Sequence, residues 1–363
     1  MANAAVLSFV LITSLLCITT THKCNGKTTP HFPAILVFGD SSVDTGNNNY
    51  INTPFKGDHL PYGIDYPGSV PTGRFSNGKL VPDILASLLG LKETVPPFLQ
   101  PNLSDKEILT GVSFASAGSG YDELTTSLSF VIPMSKQVRY FEGYIQRLKG
   151  IVGEKETSRI LSNALVVISA GTNDFIFNYY DVPTRRIQFS ISEYEDFLQD
   201  KLRKMVKELY YLGCRKMVIS GLPPIGCLPI QRTAKYPILR ACSYKENADS
   251  KSYNGKLEEL LPQIEAQLQG SKILYVETYN PLMDMINNPQ KYGKDSKLQK
   301  VYLTLLYHAT LYTKLLIPLY CCLNCRIFGN KKRVLWSWST GSWTFLYSVN
   351  SSMCKSFALL ILG

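Results

Sequence analysis

The sequence predicts an α/β fold, a three-layer α/β/α domain around a central parallel sheet. Two observations lead there. Four short apolar runs, 35–38, 164–169, 217–220 and 273–276, each stop at a polar or glycine-rich turn. That is the pattern of strands buried on both faces. Between them, 80–89, 190–212 and 252–269 carry apolar residues at helical spacing, the last two with charges on the opposite side. Strands that alternate with helices are joined by crossovers, which makes the sheet parallel. Ligands of such sheets bind beyond the carboxyl ends of the strands.

The chain begins with a segment outside that fold. Ala4 to Ile18 is mostly apolar and Thr19-Thr20-Thr21 follows. Residues 1–25 therefore read as a secretory signal peptide, although no Lys or Arg precedes the apolar run. The run is short for a membrane span. The expectation is cleavage between about residues 20 and 26, a secreted, extracellular product, and no stable membrane span afterwards. An oxidising compartment permits disulfides. Of the body cysteines Cys214, Cys227 and Cys242, the expected pair is Cys227 with Cys242. Their spacing matches no zinc pattern, so no metal is expected. Asn102-Leu103-Ser104 is a glycosylation sequon.

The formal charge of +10 does not indicate nucleic acid. Eight of the 38 basic residues lie after position 295, where no Asp or Glu occurs, leaving 30 basic and 28 acidic residues before it. The basicity belongs to the tail, as do all three tryptophans, Trp336, Trp338 and Trp343. This composition shift divides the chain near Gly293.

Within the body, the first apolar run ends at Gly39-Asp40-Ser41, which delivers a serine to a strand end. Gly111 to Gly120 is a run of small residues, Gly-Val-Ser-Phe-Ala-Ser-Ala-Gly-Ser-Gly. Such a loop either packs tightly on the sheet or lets backbone N–H groups approach a ligand. Ala170-Gly171-Thr172-Asn173-Asp174-Phe175 follows the second strand. An Asn there caps a turn, or aims its amide at developing negative charge. Gly221-Leu222-Pro223-Pro224-Ile225-Gly226-Cys227 follows the third strand and reads as a rigid wall.

Together and in this order, these runs resemble the plant GDSL-type esterase/lipase family of the SGNH hydrolase superfamily. Pro71-Thr72-Gly73-Arg74-Phe75-Ser76-Asn77-Gly78-Lys79 and Asn287-Asn288-Pro289-Gln290-Lys291-Tyr292-Gly293 extend the likeness, which covers a domain of about residues 31–293. One departure is Ser113, where the family usually has Asn. The resemblance implies a carboxylic-ester hydrolase that works without cofactor through a serine acyl-enzyme. Ser41 would be the nucleophile. The N–H groups of Ser41 and Gly118 and the side-chain amide of Asn173 would form the oxyanion hole. The substrate would be a small-molecule or polymeric ester.

The family also supplies a base and its orienting acid from a C-terminal Asp-x-x-His block, and here both are absent. The histidines are His22, His31, His59 and His308, and no acid follows Asp295. His59 sits where the family has no catalytic residue. Loss of the base costs a serine hydrolase several orders of magnitude in rate. The expected activity of this chain is therefore impaired, and the other function class that fits is a non-catalytic pocket protein binding acyl or glycan esters.

The tail, 294–363, reads as a retained intron followed by a shifted frame. Gly293-Lys294 is compatible with GGT-AAA, which contains the donor GTAA, and Cys325-Arg326 with TGC-AGG, which contains the acceptor TGCAG. In the frame restored by excision, the codons of residues 327–345 can read Phe-Leu-Glu-Thr-Lys-Arg-Gly-Cys-Cys-Gly-Ala-Gly-Val-Leu-Glu-Ala-Gly-Pro. This resembles what the family carries after its Tyr-Gly. Residues 359–363 can likewise read Tyr-Leu-Phe-Trp and open an Asp codon, the Asp of the lost block. The competing reading is a divergent natural segment whose apolar stretch, 301–323, is interrupted by His308 and Lys314. Sequencing of spliced transcripts across the Gly293 codon is expected to show the predominant message leaving this frame within that codon. A predominant message that joins Gly293 to Lys294 would overturn the reading.

Overall fold

In the computed structural model, residues 32–291 except 128 and 237 are described, together with the backbone of two strands in the tail. The expected signal segment 1–25, His22, His31, His308 and most of 294–363, including the stretch 301–323, lie outside the described residues. In chain order the elements are β1 Ile35–Gly39, α1 Val81–Leu88, α2 Asp105–Thr110, α3 Glu123–Ser127, α4 Met134–Asn163 and β2 Leu165–Ser169. A π-helical turn at Asp174–Asp181 follows, then α5 Ile191–Tyr211, β3 Lys216–Ser220, α6 Pro229–Lys235, α7 Tyr244–Gln267, β4 Lys272–Val276 and α8 Tyr279–Asn287. The tail strands β5 Arg333–Ser339 and β6 Ser342–Val349 pair antiparallel, with Trp338 opposite Trp343.

The sheet is parallel throughout, in the order β1-β2-β3-β4. Val37 pairs with Val167, Ile168 with Ile219 and Ser220 with Val276. Successive residues point to opposite faces. Leu36, Phe38, Val166, Ile168, Met217 and Ile219 join the core under α4, α5 and α7. Ile35, Val37, Leu165 and Val167 join a smaller cluster with Ala86 of α1, Val95 and Ala115. That second cover stops short of β4, where Leu274 is 49% exposed and Val276 41%.

All four expected strands form, each within one residue of the apolar run that predicted it. The first two expected helices also form. Ser190 caps α5: its hydroxyl accepts from Glu193 N–H at 3.3 Å, and Glu193 Oε2 accepts from Ser190 N–H at 2.7 Å. The third helix starts eight residues before its expected start at 252. Its first turns bury Glu246, Asn247, Asp249 and Ser250, so apolar periodicity cannot mark them. Helix α4 carries few signals of its own because charges and glycines interrupt it. Gly153, at φ 78°, divides it into two helical pieces. Cys227 and Cys242 are bonded, and Cys214 is a buried thiol.

The small-residue run begins as a fifth ribbon along the free edge of β1. Val37 N–H donates to Val112 O at 3.1 Å, and Phe114 N–H donates to Val37 O at 2.7 Å. Gly111 starts this ribbon at φ 94°, and a Cβ there would lie 1.9 Å from Ile35 O. Gly111→Ala is expected to destabilise the fold by about 3 kcal/mol or more. Gly150→Ala, in an open helical position with no atom within 4 Å of the new Cβ, is expected to stabilise it by about 0.4–1 kcal/mol. Urea denaturation of the two variants checks the contrast. Equal midpoints would contradict it.

Candidate active site

Ser41 lies in the turn that leaves β1. Gly39 ends that strand at φ 145°, and a Cβ on it would meet Ser169 O at 1.9 Å. The absence of a side chain lets Asp40 N–H reach Ser169 O at 3.0 Å and carry the β1–β2 pairing one step past the strand. Asp40 then folds the turn back: its Oδ1 accepts from Ser42 N–H at 2.9 Å and from Ser42 Oγ at 2.7 Å. Ser41 is half-buried between them, and no hydrogen bond ties its hydroxyl to another described residue.

The ribbon beside β1 turns into this region at its far end. Gly39 O accepts from Ser116 N–H at 3.0 Å and from Ser119 Oγ at 3.2 Å. Gly118, at φ 87°, is thus held between two residues bonded to one carbonyl. Gln137 of α4 completes the clamp. Its Nε2 donates to Gly39 O at 2.9 Å and to Ser119 Oγ at 3.0 Å, while its Oε1 accepts from Gly39 N–H at 2.9 Å. Of the two expectations for this run, tight packing on the sheet holds for its first half. Residues 111–116 pack on the sheet, and 117–120 form a backbone loop over the strand end.

Asn173 reaches the same loop from the end of β2. It is 9% exposed, and its Nδ2 donates to Ser119 O at 2.8 Å. A primary amide has two N–H donors, so the bond to the carbonyl of Ser119 uses one hydrogen of Nδ2 and orients the amide. Asp174, next in the chain, is fully buried and accepts from Tyr121 N–H at 2.8 Å, Asp122 N–H at 3.0 Å and the Thr125 hydroxyl. A Cβ on Gly120 would lie 2.2 Å from Asp174 Oδ1, so the carboxylate needs that glycine to pass. Beyond it, Asp122 forms a two-pronged ion pair with Arg185 at 2.7 and 2.9 Å.

Ser41, Gly118 and Asn173 are thereby linked through Gly39 and Ser119 at the carboxyl ends of β1 and β2. The wall loop is fixed too: Asn254 Oδ1 accepts from Leu222 N–H at 2.6 Å and its Nδ2 donates to Leu222 O at 2.9 Å. A row of hydroxyls crosses the strand ends, with Ser42 Oγ and Ser220 Oγ each 2.9 Å from Ser169 Oγ. Asp44 Oδ2 accepts from Ala117 N–H at 2.9 Å, and Gln137, Asp44 and Asp174 are the positioning residues to which motif reading gave no role. Asp174 left a trace as the neighbour of Asn173, and Asp44 as part of the run that follows Ser41. His59 is the histidine among the described residues. Its Nδ1 lies 3.6 Å from Asp58 Oδ1, and its ring packs edge-on to Tyr62. No group of three or more His, Cys, Asp or Glu side chains suited to a metal occurs among the described residues. No described helix is long and apolar enough to cross a membrane.

Comparison with known proteins gives a consistent result. The family model described as GDSL-like Lipase/Acylhydrolase matches residues 35–311. The Arabidopsis thaliana protein GDSL esterase/lipase At2g30310 is 56% identical over 301 residues, spanning 82% of this chain and 84% of its own. GDSL esterase/lipase At1g58430, also from Arabidopsis thaliana, is 56% identical over 297 residues, with 81% and 82% covered. GDSL esterase/lipase At2g31540 of the same plant is 58% identical over 277 residues, with 75% and 77% covered.

Two buried carboxyls near the strand ends, Asp40 and Asp174, are held above the ordinary carboxylate range. Burial pushes Asp40 up to about 6, against the opposing effect of its bonds from Ser42. Burial pushes Asp174 up to about 7, again against its hydrogen bonds. A carboxyl raised in the folded state holds its proton more tightly there than in the unfolded chain. Its stabilising contribution is complete below the unfolded value near 3.8 and is lost as pH rises through about 6 to 7. The melting temperature is therefore expected to fall between about pH 4 and pH 7. Asp174→Asn, which does not titrate, is expected to flatten that fall. Parallel melting curves for parent and variant across this range would refute the assignment to Asp174.

Proposed function

The chain belongs to the GDSL-like lipase/acylhydrolase family, whose members are carboxylic-ester hydrolases, and from that premise we propose that Ser41 forms an acyl-enzyme with the ester substrate. The hydroxyl of Ser41 attacks the ester carbonyl, and the alcohol leaves. Water then releases the acid and restores the serine. Negative charge on the carbonyl oxygen is met by the N–H groups of Ser41 and Gly118 and by the side-chain amide of Asn173. Donors of this kind contribute about 2.7–4 kcal/mol each to the transition state. The observation that carries the reading is the Asn173 bond to Ser119 O, because it orients the amide before any substrate arrives.

The proton of Ser41 needs an acceptor, and the described residues supply none in the family's position. We therefore propose that this chain is an impaired hydrolase, and that a message spliced within the Gly293 codon encodes the competent one. Secretion is part of the same proposal. It is supported by the apolar N-terminal run and by the Cys227–Cys242 bond, since such bonds persist in oxidising compartments.

Turnover of p-nitrophenyl butyrate by the full chain, by Ser41→Ala and by the respliced product tests the reading. The respliced product is expected to exceed this chain at least about a thousandfold in kcat/KM, the scale on which removal of a triad base acts. Ser41→Ala in the respliced product is expected to abolish that gain. Equal turnover with and without the Ser41 hydroxyl would exclude serine catalysis and leave the non-catalytic pocket protein as the reading.

A further inference from the structure

The loop that joins α6 to α7 carries an apolar tip on a firmly held stem. Tyr236 is 42% exposed, Ile238 93%, Leu239 81% and Tyr244 89%. Single exposed apolar residues are common, but these four fall within nine positions and form a patch. The stem stands on the wall loop that leaves β3: Cys242 is bonded to Cys227, and Ser243 N–H donates to Gly226 O at 2.9 Å. Inside the loop, Tyr236 N–H donates to Arg232 O at 3.0 Å, Arg240 N–H donates to Tyr236 O at 2.6 Å, and Arg232 Nε donates to Arg240 O. Helix α6 is docked on its neighbours as well. Gln231 Nε2 donates to Asp181 Oδ2 at 3.2 Å, and Lys235 Nζ lies 3.7 Å from Glu246 Oε1. The fold therefore fixes the base of the loop and leaves Ile238 and Leu239 facing water.

The charge around the tip has one sign. Between Glu208 and Glu246 the chain has no Asp or Glu, while Arg232, Lys235, Arg240 and Lys245 lie in or beside the loop. Lys235 is spent inward, on Asp181 and Glu246. Arg240 and Lys245 are exposed. Aliphatic side chains outermost, a tyrosine on either side of them in sequence and cations behind match the layers of an anionic lipid surface. There hydrocarbon takes the aliphatic groups, the headgroup level takes tyrosine rings, and the anions attract Lys and Arg. A protein surface does not offer that layering as a matter of course.

We propose that the 236–244 loop is an interfacial anchor that seats Ile238 and Leu239 in the surface of an anionic lipid phase, with Arg240 and Lys245 at its headgroups. The anchor lies on the surface and does not span it. Because its stem is bonded to Gly226 and Cys227, attachment brings the wall loop of β3 to the lipid. The benefit to a water-insoluble ester substrate rests on the ester-hydrolase reading; the attachment itself does not.

The test is hydrogen exchange of the full chain, read by mass spectrometry during titration with phosphatidylcholine vesicles that carry about 30% phosphatidylglycerol. Exchange in residues 238–241 is expected to slow at least about threefold on addition of vesicles. Exchange around Ile187, which is 83% exposed outside the loop, is expected to stay unchanged. The lipid concentration that half-protects 238–241 is expected to rise at least about tenfold in Ile238→Ser with Leu239→Ser and at least about fivefold in Arg240→Ser with Lys245→Ser. Ile187→Ser is expected to leave it unchanged, and all these variants to melt with the parent. The basic tail also attracts anionic vesicles, and exchange separates the two sources. Vesicle binding without slowed exchange at 238–241 assigns it to the tail and overturns the proposal. So does an unchanged titration in Ile238→Ser with Leu239→Ser, or no response to vesicles at all. Slowed exchange at 238–241 that appears without lipid as protein concentration rises assigns the tip to a second copy and overturns it too. None of these readings needs turnover, so they are separate from the Ser41 assay.

Discussion

The peptide of Gly39 joins the three parts from which the strand-end region is made. Its N–H and its carbonyl are both taken by the Gln137 amide, and the carbonyl also accepts from Ser116 N–H and Ser119 Oγ. The sheet, helix α4 and the small-residue loop therefore meet at one buried group. A buried donor or acceptor that loses its partner costs about 1–3 kcal/mol. A shift of any one part would orphan groups on the other two. Only glycine can occupy the position, because a Cβ would lie 1.9 Å from Ser169 O and would part β1 from β2 where the serine turn begins.

Two carboxylates extend that constraint along the loop. Asp44 Oδ2 accepts from Ala117 N–H at 2.9 Å, and Asp174 Oδ2 accepts from Tyr121 N–H at 2.8 Å. Gly118, Ser119 and Gly120 lie between those two anchors, and Asn173 holds Ser119 O in the middle. The region is thus positioned by satisfied buried polar groups rather than by apolar contact. Such bonds fix orientation to a degree that apolar packing does not. The cost appears in titration: Asp40 and Asp174 are desolvated enough to hold protons well above the usual carboxylate range.

The sequence made some of this legible and concealed the rest for physical reasons. β1 and β2 are buried on both faces and β3 and β4 keep apolar residues at most positions even where one face is partly open, so four short runs disclosed the sheet to within a residue. Amphipathic α5 was equally plain. The start of α7 was hidden because Glu246, Asn247, Asp249 and Ser250 are buried as polar side chains, which inverts the cue that periodicity reads. Ser41, Gly118 and Asn173 stood out because each belongs to a run of unusual local composition. Gln137 did not, since it bonds to Gly39 across 98 positions and is locally one polar residue on a polar helix. Asp44 likewise acts on Ala117 across 73 positions, a relation that only the folded chain expresses.

The two halves of a serine-hydrolase site make different demands on a chain. The charge-stabilising half is built from N–H groups and an amide held by the sheet, so it forms wherever β1, β2 and the loop form. The proton-accepting half is a side chain that must be brought to the serine from elsewhere. In this protein the residues proposed for the first half all lie between 39 and 174, and the bonds described above that hold them join residues of that range to one another. The second half has no counterpart among the described residues. On the proposed reading, the loop and amide that would meet the negative charge can therefore stay in place in a chain that lacks the base. Residual rate acceleration in triad enzymes stripped of their base has that origin.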